Sequence, residues 1–254
     1  MQLEQQLRDR LEKKDILLMT HIVLGYPSFD TNREVIRQMV ENGVDCIEMQ
    51  IPFSEPMADG PVIVKANQEA IKNGTKVVDC LAFATEMTAS HDIPFLFMTY
   101  YNIIFKYGEK AFFEKAHACG IKGFIVPDLP PEEGESFLQL AAEYEIAPIL
   151  IFAPTSTDER MRVLASHGQG FIYCVARRGV TGVKSVIGEE VVEYLGRCRQ
   201  ATSLPLAVGF GIQDRDDVRA LIGKADMAVI GSQTIRLVDE QGAGAVGPFI
   251  AGLR

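Results

Sequence analysis

Two kinds of apolar pattern alternate along the chain. Short, nearly continuous apolar runs are followed by longer stretches in which apolar residues recur every three or four positions. A short run of this kind reads as a parallel strand covered on both faces, and the longer stretch as an amphipathic helix laid against it. Strands are predicted at 16–24, 44–51, 94–100, 123–126, 147–152, 170–175, 204–209 and 227–230. Helices are predicted at 29–42, 61–73, 109–119, 131–145, 157–167 and 214–222, among others. Asp214 is placed to cap the last of these, and Gly43, Gly74 and Gly120 stand where helices should stop. The charged segment from Met1 to Lys14 reads as one more helix ahead of the first strand, and not as a secretory leader. Strand-then-helix units repeated eight times without a linker predict an α/β fold. The expectation is a single (β/α)8 TIM barrel domain over residues 1–254, with an extra N-terminal helix.

Composition narrows the function. The 254 residues suit the length of one such barrel, and 47% hydrophobic residues can fill its core. A net charge of -9 argues against nucleic acid, whose phosphates repel an acidic surface. It leaves room for a phosphorylated small molecule, because backbone amides can hold one phosphate without local cations. The longest apolar runs are too short to span a bilayer. Cys46, Cys80, Cys119, Cys174 and Cys198 are scattered and unpaired in pattern, as in a reduced, cytoplasmic protein. His21, His91, His117 and His167 have no metal-ligand spacing, so no metal is expected.

The chemistry of this fold sits in the loops at the carboxyl ends of the strands. The loop over 51–61 is stiffened by Pro52, Pro56 and Pro61 and carries Glu55 and Asp59. Residues 127–131 form a second stiff loop, and the glycine-rich, basic stretch 175–187 is a candidate lid. Gly209-Phe210-Gly211-Ile212 after strand seven and Gly231-Ser232 after strand eight occupy the two positions where barrels of this kind often bind phosphate. Glycines there can simply make tight turns; their joint placement favours phosphate. Glu48 lies among Cys46, Ile47, Met49 and Ile51, surroundings that should raise a carboxyl pKa into the range useful for moving protons. Taken alone, Glu48 could equally be a solvent-facing strand end, and Asp59 a cap for the helix near Pro61.

Longer motifs decide between these readings. Ile47-Glu48, Ile51-Pro52-Phe53-Ser54, Pro56 and Ala58-Asp59-Gly60-Pro61 together resemble the signature of the tryptophan synthase α-subunit family. Ile125 to Glu132, Gly179-Val180-Thr181-Gly182 and Val208 to Ile212 resemble the later blocks of that family, in order and spacing. The resemblance implies retro-aldol cleavage of indole-3-glycerol phosphate, with Glu48 as acid/base and Asp59 stabilising the indole N–H. It implies that Tyr173 and Phe210 line the pocket, that Thr181 and Gly182 close it, and that phosphate rests on Gly182, Gly211, Gly231 and Ser232. It also implies a β-subunit partner in an α2β2 assembly, met by Pro52, Glu55, Pro56, Asp128 and Pro130. Pyridoxal phosphate would belong to that partner, and this chain would need no cofactor.

Several positions depart from the family pattern. His21 stands where an aromatic wall residue is usual, and Gln50 follows Glu48 where a small residue is common. Glu55 replaces an Asp, Ala176 a Ser, Arg178 a small residue, and Gln233 an Ala. A histidine in an indole pocket should lose apolar contact and leave a buried polar group unpaired. Two readings therefore stand: an active lyase, and a weakened one that serves mainly to activate its β subunit.

Overall fold

The computed structural model describes residues 2–176, 188–209 and 211–254. Eight parallel strands close on themselves in chain order: β1 Leu17–Val23, β2 Cys46–Gln50, β3 Phe95–Met98, β4 Gly123–Ile125, β5 Ala147–Phe152, β6 Ile172–Val175, β7 Leu206–Gly209 and β8 Met227–Ile230. The barrel closes where β8 pairs with β1, Leu17 lying against Met227 and Thr20 against Ile230. This is the (β/α)8 TIM barrel expected from the alternation of patterns, with the N-terminal helix Gln2–Leu11 in front of it. Two helices follow β2 (Pro61–Lys72 and Val77–Ser90), and two follow β3 (Tyr101–Tyr107 and Glu109–Ala118). The helix expected over 131–145 is shorter, Glu135–Glu143, because residues 130–134 are spent in consecutive turns. Asp214 caps the helix Arg215–Leu221 by accepting the Asp217 N–H at 3.1 Å. Gly43, Gly74 and Gly120 each follow a helix end with positive φ.

Alternation along each strand divides the core in two. Leu18 and Ile22 of β1, Ile47 and Met49 of β2, and Phe95 and Phe97 of β3 face outward into the layer shared with the helices. Leu17, Met19, Cys46, Leu96, Met98, Ile125, Ile149, Phe171, Ala207, Met227 and Val229 form the interior. Leu3 and Leu7 of the N-terminal helix join that interior cluster and plug the amino-terminal end of the barrel. The plug requires glycine at its contact. Gly170 has φ +76°, and a Cβ there would meet Leu3 Cδ2 at 2.7 Å.

The amino-terminal end is also tied electrostatically. The Asp45 carboxylate is fully buried and accepts the Leu18 N–H at 3.0 Å and the Arg254 guanidinium at 2.7 Å. Lys14 pairs with its other oxygen. One side chain thereby joins the N-terminal segment, the start of β1 and the C-terminus, and the opposite end of the barrel is left for chemistry.

Candidate active site

The same alternation that lines the lower barrel with apolar groups delivers polar ones to its carboxyl end. On β1, Leu17 and Met19 point inward, and two residues further on so does His21. On β2, Cys46 is followed on the same face by Glu48 and Gln50. The parallel register sets His21 directly beside Glu48 and Val23 beside Gln50. Both His21 and Glu48 are buried, at 4% and 3% exposure. His21 Nδ1 lies 3.1 Å from Glu48 Oε1. The carboxylate expected to stand among apolar neighbours therefore has a partner, and the partner is the histidine expected to be a liability. That expectation holds for the far side of the ring: among the described residues His21 Nε2, Glu48 Oε2 and Gln50 Oε1 are buried with no hydrogen-bond partner.

Asp59 joins this group from the loop after β2. Its Oδ2 accepts the Gln50 amide at 2.7 Å and the Tyr100 hydroxyl at 3.1 Å. Gly60, and not Asp59, is the cap residue of the helix Pro61–Lys72, so the capping alternative falls away. Tyr100 also accepts the Ala58 N–H at 3.0 Å and stacks on Phe53 with ring centres 4.9 Å apart. Asn67 takes the Phe53 N–H at 2.9 Å. These contacts hold the loop over the mouth of the barrel. Tyr100 was not singled out in the sequence. Its only signal there is its place at the carboxyl end of the third apolar run.

Electrostatics couple the group. Burial pulls the His21 imidazole down, but the charge and hydrogen bond of Glu48, the charge of Asp59 and the Gln50 amide outweigh it, and the net shift is upward. Burial raises Asp59 above the usual carboxyl value, against the opposing pull of Gln50, His21 and Tyr100. Tyr173 of β6 stays protonated well above the usual range, through burial and then the negative charges of Glu48 and Asp59. Its ring lies against Gly209 of β7, where a Cβ would meet the Tyr173 hydroxyl at 3.0 Å.

The remaining expected site residues divide in three. Gly231 and Ser232 begin the helix Ser232–Gln241, whose first turn has no side-chain cap, and Gly211 adopts φ +83°. Among the described residues, no atom beyond the adjoining residues lies within 4 Å of where a Cβ would stand on Gly211 or Gly231. Pro52 and Pro56 are buried, Glu55 is exposed, and Asp128 and Pro130 are half-buried. Asp128 receives the Tyr101 N–H at 2.9 Å, satisfying from a neighbouring loop the first amide of the helix Tyr101–Tyr107, whose own cap residue Tyr100 makes no side-chain cap bond. Thr181, Gly182, Arg178, Phe210 and most of the candidate lid lie outside the described residues.

Comparison with known proteins identifies the family. The family model of the tryptophan synthase alpha chain matches residues 7–246. The chain belongs to that family. It is 69% identical to the tryptophan synthase alpha chain of Desulfotalea psychrophila, over 100% of both chains. Among solved structures it resembles a chain of Mycobacterium tuberculosis tryptophan synthase (TM-score 0.91, 29% identity, 99% of this chain and 96% of that one). It also resembles a chain of the tryptophan synthase complex of Pyrococcus furiosus (TM-score 0.86, 29% identity, 93% and 97%). A tryptophan synthase alpha chain is a lyase, and this family places the chain in tryptophan biosynthesis. Among the described residues no helix is long and apolar enough to cross a membrane.

Proposed function

We propose that the chain cleaves indole-3-glycerol phosphate by a retro-aldol reaction into indole and glyceraldehyde 3-phosphate, as an active lyase. The observation that carries this reading is the meeting of two carboxylates at the carboxyl mouth of the barrel: buried Glu48, whose Oε2 has no partner among the described residues, and half-buried Asp59, linked to the strand of Glu48 through Gln50. Glu48 moves the protons: it protonates indole C3 and takes the proton of the side-chain hydroxyl as the carbon–carbon bond breaks. Asp59 faces the ring N–H and balances the positive charge that develops there. Tyr173 and Phe210 line the ring pocket. No cofactor of this chain's own is required, since every step is proton transfer and charge stabilisation.

Phosphate is held by the backbone amides of Gly211, Gly231 and Ser232, with Gly182 as the fourth contact and Thr181 beside it as a lid residue. The uncapped first turn of the helix Ser232–Gln241 supplies donors and the positive end of its dipole. The partner is a tryptophan synthase β subunit, in an α2β2 assembly, docked on the loops carrying Pro52, Glu55, Pro56, Asp128 and Pro130. The exposed apolar side chains at this end, Met57 and Phe105 (82% and 65% exposed), suit such a surface.

The test is steady-state cleavage by wild type and by Glu48→Gln, with circular dichroism as the control for folding. The amide fills the same space but cannot shuttle protons, so cleavage should fall below detection while the fold persists. Equal rates in the two proteins would remove Glu48 from the mechanism.

A further inference from the structure

We propose that His21 is a positioning residue for Glu48: its Nδ1–H engages Oε1, turns Oε2 toward the reacting atoms and sets the alkaline limit of activity. This rests on the cleavage reading of the site. Three observations carry it. The parallel register places the two residues side by side on β1 and β2, so the contact comes from the sheet itself and not from a flexible loop. The Nδ1–Oε1 separation of 3.1 Å occupies one carboxylate oxygen and leaves the other buried and without a hydrogen-bond partner among the described residues. Finally, the His21 backbone is held, because Thr234 Oγ1 donates to its carbonyl at 3.2 Å and β1 pairs with β2 from Met19 to Val23.

Among the described residues, the charged groups around the imidazole are Glu48 on the adjacent strand and Asp59 from the loop above it, with the Gln50 amide between them. Across the barrel stands the neutral Tyr173 hydroxyl. Both formal charges are negative, and together they favour the doubly protonated ring in spite of its burial. In that form Nδ1–H is a charge-assisted donor to Glu48, stronger than its neutral counterpart. Glu48 gives one proton to the substrate and takes one back in each turnover. His21 keeps its own proton throughout and acts through the carboxylate. As pH rises through the raised imidazole value, the ring loses its charge, the grip on Oε1 weakens, and turnover falls.

Two variants separate positioning from packing. His21→Phe keeps bulk and removes the donor. Its kcat should fall on the order of a hundredfold, the cost of displacing a reacting group by about an ångström, with KM little changed. His21→Asn offers an amide N–H near the Nδ1 position but does not titrate. Its kcat should lie between those of His21→Phe and wild type at neutral pH, near the level wild type keeps once its ring is uncharged, and its profile should lack the alkaline limb that wild type shows. A phenylalanine variant with the kcat and pH profile of wild type would overturn the proposal. A second measurement is independent of turnover. With only four histidines in the chain, the His21 ring resonance can be assigned by its loss in His21→Phe and titrated by NMR. Its pKa should drop in Glu48→Gln, and an unchanged value would overturn the pairing. If wild type cleaves no indole-3-glycerol phosphate, the functional reading fails while this titration still decides the pairing.

Discussion

Gln50 Nε2 donates to Asp59 Oδ2 at 2.7 Å, and through that bond a side chain on a strand sets the position of a carboxylate on a loop. The loop gains a fixed reference, and Asp59 is drawn far enough inside that burial raises its pKa, Gln50, His21 and Tyr100 notwithstanding. The sign for stability follows from linkage. A folded-state pKa above the unfolded one means that the stabilising contribution is complete below about 3.8 and is lost as pH rises through the raised value. Asp59→Asn should therefore melt above wild type at pH 7, with the gap closing as pH falls toward 4, and should lose cleavage activity. Thermal melts across that range check it; a variant less stable than wild type at every pH would contradict the assignment.

Gly209 and Tyr173 form a second dependent pair. A Cβ at residue 209 would sit 3.0 Å from the Tyr173 hydroxyl and 3.2 Å from its ring carbon. Gly209→Ala should displace the tyrosine and reduce cleavage, and adding Tyr173→Phe should restore part of it. The expected coupling in a double-mutant cycle is about 0.5–3 kcal/mol, the range for side chains in direct contact. Strict additivity would show that Gly209 is needed for another reason.

At the opposite end of the barrel, Asp45 should matter for stability and not for chemistry. Asp45→Ala orphans the buried Leu18 N–H and releases Lys14 and Arg254. The buried donor alone should cost about 1–3 kcal/mol in urea unfolding. Cleavage by the folded variant should match wild type, since the site lies beyond the apolar barrel interior. A loss of kcat without a loss of stability would refute the division of labour between the two ends.

The alternation of apolar runs and amphipathic stretches by itself determined the eight strands, their order, the parallel barrel and the helix at the front. It sufficed because strands covered on both faces must be apolar throughout, and that requirement is written locally. The ends of elements were less legible. The turns of residues 130–134 shorten a helix for reasons that lie in proline and glycine geometry beside the barrel, and not in hydrophobic period. The motif around Glu48 and Asp59 likewise singled out two carboxylates that the fold brings to the same mouth of the barrel. What the sequence could not state was partnership. Residues 27 positions apart, His21 and Glu48, become neighbours only when strand register is set. Tyr100 reaches Asp59 only when the loop after β2 folds back over β3. A histidine in an apolar pocket and a glutamate among apolar residues each read as a cost when taken singly. Tertiary structure sets them side by side, and with Nδ1 and Oε1 3.1 Å apart each supplies the other with one polar partner that the sequence did not show.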